Sequence, residues 1–245
     1  MKLSPEKRAA RRAKIARWVG TILFVSLVLS LVYALVRFLM APAELLDSEP
    51  YQKIKTDYLL MMTQCLLGLL VMALPSFIAH RWKVVVPNTI VILYFIFLYC
   101  AIYLGEVRNF YYVIPHWDNI LHAFSGAMLG ALGFILVDLL NRDRKVRVHL
   151  SPFFIAVFAF SFALAVGALW EVYEFAFDAL LGLNMQKHTT EQGVALIGTA
   201  ALSDTMIDLI ADSLAALVVS VLGFLLLQRN ANPDDKDEQT KKDPL

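Results

Sequence analysis

Asp118 and His122 stand four residues apart, Glu171 and Glu174 three apart with Asp178 four further on, and Asp204, Asp208 and Asp212 at successive intervals of four. Residues three and four apart on a helix are surface neighbours, so each set presents one face. The residue types point to two kinds of chemistry. Carboxylate oxygens gathered in one place suit Mg²⁺, Mn²⁺ or Ca²⁺, and an added imidazole favours Mn²⁺ or Zn²⁺. Glu171, Glu174, Asp204, Asp208 and Asp212 are the candidate metal ligands. His122 is the candidate general base, with Asp118 one turn away to orient its ring. Several ionised carboxylates in a dry interior are costly, so either some are protonated or a cation joins them.

Each residue also has a structural reading. Asp118 and Asp204 fall where helices are expected to begin, so capping of free backbone amides competes with ligation for those two. Asp208, Asp212 and Glu171 lie inside expected helices, where a hydrogen-bonded network or a water-lined surface is the competing account. His116, next to Trp117, reads as an interface residue, and His188 as a loop residue near the site. Trp170 and Tyr173 read as packing or interface groups, and Asp138 as a partner of the basic loop that follows it.

The elements that must position these groups are membrane helices. Hydrophobic residues make up 59% of the 245 and charged residues only 18%, with mean hydropathy +0.62. Soluble domains carry about 25% charge. Apolar runs of about 20 residues recur, which predicts an all-α polytopic bundle. The net charge of +1 gives no footing for nucleic acid. Cys65 and Cys100 both sit in apolar runs and read as small fillers, not a disulfide.

Six spans are expected: Trp18 to Met40, Tyr58 to Ala79 with a kink near Pro75, Val85 to Gly105, Asp118 to Leu140, Pro152 to Phe175 with the helix reaching toward Asp178, and Asp204 to Leu227. Residues 1–17 carry seven basic residues against Glu6 and form a basic segment ahead of the helical domain 18–228. Residues 229–245, polar and proline-marked, read as a disordered tail. Basic turns at 80–83 and 141–149 join the basic start in placing both termini in the cytoplasm. The first span is too long for a secretory h-region and lacks a clear cleavage pattern, so it reads as uncleaved. In that topology all three polar sets open on the outer face. By helix rise Asp212 lies about 12 Å deeper than Asp204. The apolar stretch 194–202 is too short to span and is expected to dip into the membrane or lie flat. The aromatic stretch EVRNFYYVIPHW at 106–117 is expected in the headgroup layer.

The segments HWDNILHAFSGAMLG (116–130), GALWEVYEFAFD (167–178) and DTMIDLIADSLAAL (204–217) resemble the YjdF-like family of bacterial inner-membrane proteins. A more distant similarity is to the VanZ-like family. The resemblance covers about residues 55–228 and implies a multi-pass protein of the bacterial inner membrane. It marks Asp118, His122, Glu171, Glu174, Asp204, Asp208 and Asp212, and departs at Ala215, where similar chains tend to have glycine before Ala216. It brings no established activity. Three functions fit the residues: metal-dependent chemistry on a lipid-linked or phosphorylated envelope substrate, a cation- or proton-coupled transporter, and a non-catalytic sensor or scaffold. The first needs an outer cation for phosphate, and Arg108 is the one outer arginine. The second needs polar groups on the inner half, where the sixth span beyond Asp212 is apolar. Membrane lipids are the expected partners in every case.

Overall fold

The computed structural model describes residues 4–43, 53–141, 150–190 and 194–231. The basic stretch 142–149, the tail from 232 and residues 44–52 lie outside the described residues. The chain is helical: α1 (Pro5–Met40), α2 (Lys55–Val71), α3 (Leu74–Trp82), α4 (Asn88–Leu98), a π-helical segment (Tyr99–Val107), α5 (Phe110–Val113), α6 (Trp117–Asn141), α7 (Pro152–Leu181) and α8 (Thr199–Ala231). Six helical stretches among the described residues are long and apolar enough to cross a membrane, with α2–α3 forming one and α4 with the π segment another. The protein is thus an all-α, multi-pass membrane bundle. Its residues group in two units, 1–121 with 174–204 and 122–173 with 205–245.

In the first unit α1 is the backbone of the packing. Ser4 Oγ accepts from Lys7 N at 3.4 Å, and Pro5 fills the first helical position. The basic residues from Lys7 to Arg17 lie on the same helix as the first span, with no break at residue 17. Its buried positions, Ala16, Gly20, Leu23, Leu27, Ser30 and Ala34, alternate spacings of four and three, a narrow seam that lets neighbouring helices approach. Leu23, Leu27 and Ala34 meet Met61 and Cys65 of α2 and Leu98 and Ile102 of the third span in one core. Cys65 and Cys100 are free thiols, as their apolar settings imply.

The kink expected near Pro75 is present and two boundaries differ from expectation, each for a physical reason. The second span breaks at Met72 and Ala73. Pro75 has no N–H to give and its ring excludes the carbonyl four residues back, that of Val71. The freed Val71 carbonyl accepts from Tyr94 Oη at 2.9 Å. The third span starts at Asn88 instead of Val85, behind Pro87, which cannot continue a helix from its N-terminal side. It then widens into a nine-residue π segment whose Cys100 carbonyl accepts from Trp117 Nε1 at 3.3 Å. The last helix starts at Thr199, five residues before Asp204. The stretch 194–202 is therefore divided. Its first half belongs to an irregular connection with a Thr189–Ala195 bridge, and its second half is the first turn of α8.

In the second unit α6, α7 and α8 pack through small residues. A Cβ on Gly126 would lie 2.5 Å from the Asp212 carbonyl oxygen, and one on Gly133 would lie 2.6 Å from Ala159 Cα. Only hydrogen fits at either place. Ser151 Oγ accepts from Phe154 N at 3.2 Å and Pro152 follows it, so α7 begins where a Ser-Pro pair predicts.

Candidate functional site

Burial along α8 rises sharply past its first turns. Asp204 is half-buried, Asp208 is 1% exposed and Asp212 is 2% exposed. A carboxylate so far from water needs company, and α6 and α7 supply it. His122 of α6 and Glu171 of α7 are both buried. His122 Nδ1 lies 3.1 Å from Asp212 Oδ2, and Ser125 Oγ donates to Asp212 Oδ1 at 2.9 Å. The same serine hydroxyl lies 2.9 Å from the His122 carbonyl. Gly167 of α7 makes the room: a Cβ there would come within 2.7 Å of Asp212 Oδ2.

Asp212 thus occupies both of its oxygens, one with the imidazole and one with a hydroxyl. It takes the part of orienting acid that the sequence assigned to Asp118, and it does so across helices instead of along one. A carboxylate on Nδ1 selects the tautomer in which Nε2 carries a lone pair. That Nε2 faces Asp208 Oδ2 at 3.8 Å and Glu171 Oε1 at 4.0 Å. These separations exceed a hydrogen bond. They leave room between these groups for a coordinating ion. His122 and Asp208 belong to a buried His/Asp cluster able to coordinate a metal ion.

The outer acids are arranged differently. Asp118 lies in the first turn of α6, where a carboxylate meets the positive end of the helix dipole. Asp204 lies within α8 and is not at its start, so the capping reading fails for it. Both face Lys187. Its Nζ donates to Asp118 Oδ2 and lies 3.6 Å from Asp204 Oδ2 and 4.9 Å from the Tyr111 ring centroid. Sequence reasoning missed this lysine. The signal was present, since Lys187 is the one lysine or arginine in the connection 179–202.

Asp178, expected to share a face with Glu171 and Glu174, serves the loop instead. Its carboxylate accepts from Met185 N at 2.7 Å and Gln186 N at 3.0 Å, with His188 Nδ1 at 3.5 Å. Asn184 closes the same loop, giving Nδ2 to the Thr189 carbonyl at 2.8 Å and taking Thr189 N on Oδ1 at 3.0 Å. Leu183 and Met185 are buried beneath it. Between these anchors Lys187 adopts φ +45°, a strained conformation costing about 1–3 kcal/mol. Glu174, one turn beyond Glu171, is half-buried. The Trp170 and Tyr173 rings lie against each other, tilted by 35° with centroids 5.0 Å apart, in keeping with a packing role.

Comparison with known proteins adds a family and no activity. The sequence model of a family described as "Predicted membrane protein (DUF2238)" matches residues 22–229. A protein of Thermotoga maritima bearing the name "Uncharacterized protein" is 28% identical over 123 residues, 49% of this chain and 54% of that protein. The chain therefore spans about half the length of that relative. No solved structure matches. The family match covers most of the chain, including the three helices that carry His122, Glu171, Asp208 and Asp212, and this chain belongs to the DUF2238 membrane proteins.

Proposed function

We propose that the chain uses His122, Asp208 and Glu171 to hold a divalent cation for chemistry on a lipid-linked or phosphorylated substrate. The observation that carries this reading is the geometry of His122: Nδ1 held by Asp212, Nε2 turned to Asp208 and Glu171 at distances an ion would close. Mn²⁺ or Zn²⁺ suits the mixed donors best, ahead of Mg²⁺ and Ca²⁺. Such an ion polarises a phosphoryl oxygen and lowers the pKa of a bound water. The chain's own residues orient and exclude. Asp212 and Ser125 fix the ring, and the flanking helices bury the acids. The aromatic stretch 106–117, expected in the headgroup layer, supports a lipid-linked substrate. Localisation in the bacterial inner membrane with both termini inside follows from the basic bias of 1–17 and 80–83. The YjdF-like pattern is consistent with it.

Coupled transport is the second reading, favoured by the succession of Asp204, Asp208 and Asp212 along one helix. Against it, α8 beyond Asp212 offers only Ser213 and Ser220 as polar groups before Gln228. A scaffold role would need the acids without an ion.

The test is metal content and Mn²⁺ and Zn²⁺ affinity of the purified protein, wild type against Asp208→Asn and Glu171→Gln. Each substitution keeps shape and removes one charge. Affinity is expected to fall at least ~10-fold in each, with the double variant losing less than the sum, because the two share one ligand. A wild type that holds no divalent ion above background, alongside an Asp208→Asn protein of unchanged stability, would leave the acids as a scaffold or as proton-titrating groups.

A further inference from the structure

α1 carries two stripes on opposite sides. One is the buried seam that runs from Ala16 to Ala34. The other is formed by Ile22, Val25 and Leu29, all exposed and apolar within the first span. Steps of three and four residues extend this outer stripe toward the N-terminus through Trp18 to Lys14 and Arg11. Trp18 is 61% exposed, and both basic residues are exposed as well. The helix is continuous along this path. At 1.5 Å per residue its 36 residues extend about 54 Å, against a hydrocarbon core of about 30 Å. Its basic turns therefore stand beyond the apolar layer at fixed heights. Lys14 lies about 6 Å beyond Trp18 along the axis, and Arg11 about 10 Å.

One helix face thus runs from apolar through indole to cationic. A phospholipid has the same order from its tail: acyl chains, glycerol, phosphate. Indole rings favour the level between chains and headgroups, and lysine and arginine lay their stems on apolar surface while the charge reaches outward. Among the described residues no carboxylate is ion-paired with Arg11 or Lys14. Arg12, next along the chain, is turned to the protein instead. Its Nη1 donates to Thr89 Oγ1 at 3.2 Å, in the first turn of α4.

We infer that Arg11, Lys14 and Trp18 form a binding strip for an anionic phospholipid, with its phosphate at the two basic residues and its chains along Ile22, Val25 and Leu29. The strip lies wholly on α1 and is independent of the ion site at His122. Charge selects the occupant. A zwitterionic lipid adds an ammonium group that the strip repels, whereas a phosphatidylglycerol headgroup carries negative charge alone. Each basic residue near an anionic lipid surface strengthens binding about fivefold, equivalent to about 1 kcal/mol.

The experiment is native mass spectrometry of the full-length protein in a neutral detergent, with equal amounts of phosphatidylglycerol and phosphatidylcholine of matched chains. Wild type is compared with two double variants, Arg11→Gln with Lys14→Gln and Arg8→Gln with Arg12→Gln. Both remove two positive charges from the same stretch of helix, the first on the strip and the second off it. Wild type is expected to hold phosphatidylglycerol ~25-fold more tightly than phosphatidylcholine. The first double variant should fall to near parity, and the second should stay within ~3-fold of wild type. Equal losses in the two would show that total charge is read and not one helix face, which overturns the strip. Equal retention of the two lipids by wild type overturns it as well. A preference that emerges only in a chain cut after Ala231 would make the acidic tail the occupant, against the inference. Should the first double variant fold poorly, Trp18 supplies a second readout. Phosphatidylglycerol with brominated chains should quench a part of the tryptophan emission that Trp18→Phe lacks, and equal quenching in the two proteins removes the lipid from the strip.

Discussion

At the scale of single residues, the arrangement turns on which acid serves the imidazole. His122 has a candidate four residues back on its own helix and another 90 residues away, and the distant one holds Nδ1. Asp212 should therefore behave as a supporting residue. Asp212→Asn is expected to weaken metal binding by ~10–100-fold, the usual effect of removing a carboxylate behind a ligating histidine. It should also lower stability by about 1.5–3 kcal/mol, since a hydrogen bond to a charged acceptor is lost in a buried place. Ser125→Ala removes a donor to the same carboxylate and should cost a similar amount, about 1.5–3 kcal/mol, but it leaves the imidazole its partner and should have little effect on the ion. Mn²⁺ titration and thermal melting of the two variants side by side check both statements. Equal losses of Mn²⁺ affinity in the two would show that Asp212 has no special part in orienting the ring. Asp178 is the contrasting acid. Its spacing from Glu174 put it with the site, yet its oxygens face backbone amides, which sequence spacing along a helix cannot reveal.

At the scale of elements, close approach of α6 and α8 is what brings His122 to Asp212. Gly126 lies against the Asp212 backbone, so an added methyl would have to push α8 away. Gly126→Ala is expected to destabilise by about 1–3 kcal/mol through overpacking and to weaken Mn²⁺ binding with it. Gly130→Ala, one turn on, places its methyl at 3.4 Å from Val219 side-chain atoms and should be far milder, because the neighbour can yield. Thermal melting and Mn²⁺ titration of this pair separate helix propensity, which favours alanine at both positions, from contact. The α7–α8 connection is a second such element. Asp178→Ala releases the Met185 and Gln186 amides, and limited proteolysis should then cut between 182 and 198 at a markedly higher rate. Resistance equal to wild type would mean that Leu183 and Met185 hold the loop unaided. The π segment belongs at this scale too. Its wide turn was invisible in an apolar run, since hydrophobicity does not distinguish α from π spacing over nine residues.

At the scale of the whole molecule, six apolar stretches make the chain a multi-pass membrane protein, and the basic residues argue for its orientation. Single cysteines test that orientation in intact cells. Val194→Cys, in the α7–α8 connection, should react with an impermeant thiol reagent from outside. Val85→Cys, at 93% exposure between α3 and α4, should react only after the membrane is opened. The reverse pattern would turn the acidic sets inward and move any substrate to the cytoplasm.

What the sequence determined by itself was the class, the number of apolar spans and which polar residues fall within them. These depend on composition and on helix periodicity, both local properties of the chain. The break before Pro75 was legible for the same reason. The tertiary structure decided the roles within the cluster. Asp118 was paired with His122 by spacing, but the helices bring Asp212 to the ring and leave Asp118 with Lys187, a residue 69 positions away in sequence. Asp204 ceased to be a cap because α8 begins at Thr199, a boundary that an apolar stretch ahead of the acid concealed. A carboxylate's partner is set by which helix faces it and how closely glycines let that helix come, and no spacing along one helix contains that information.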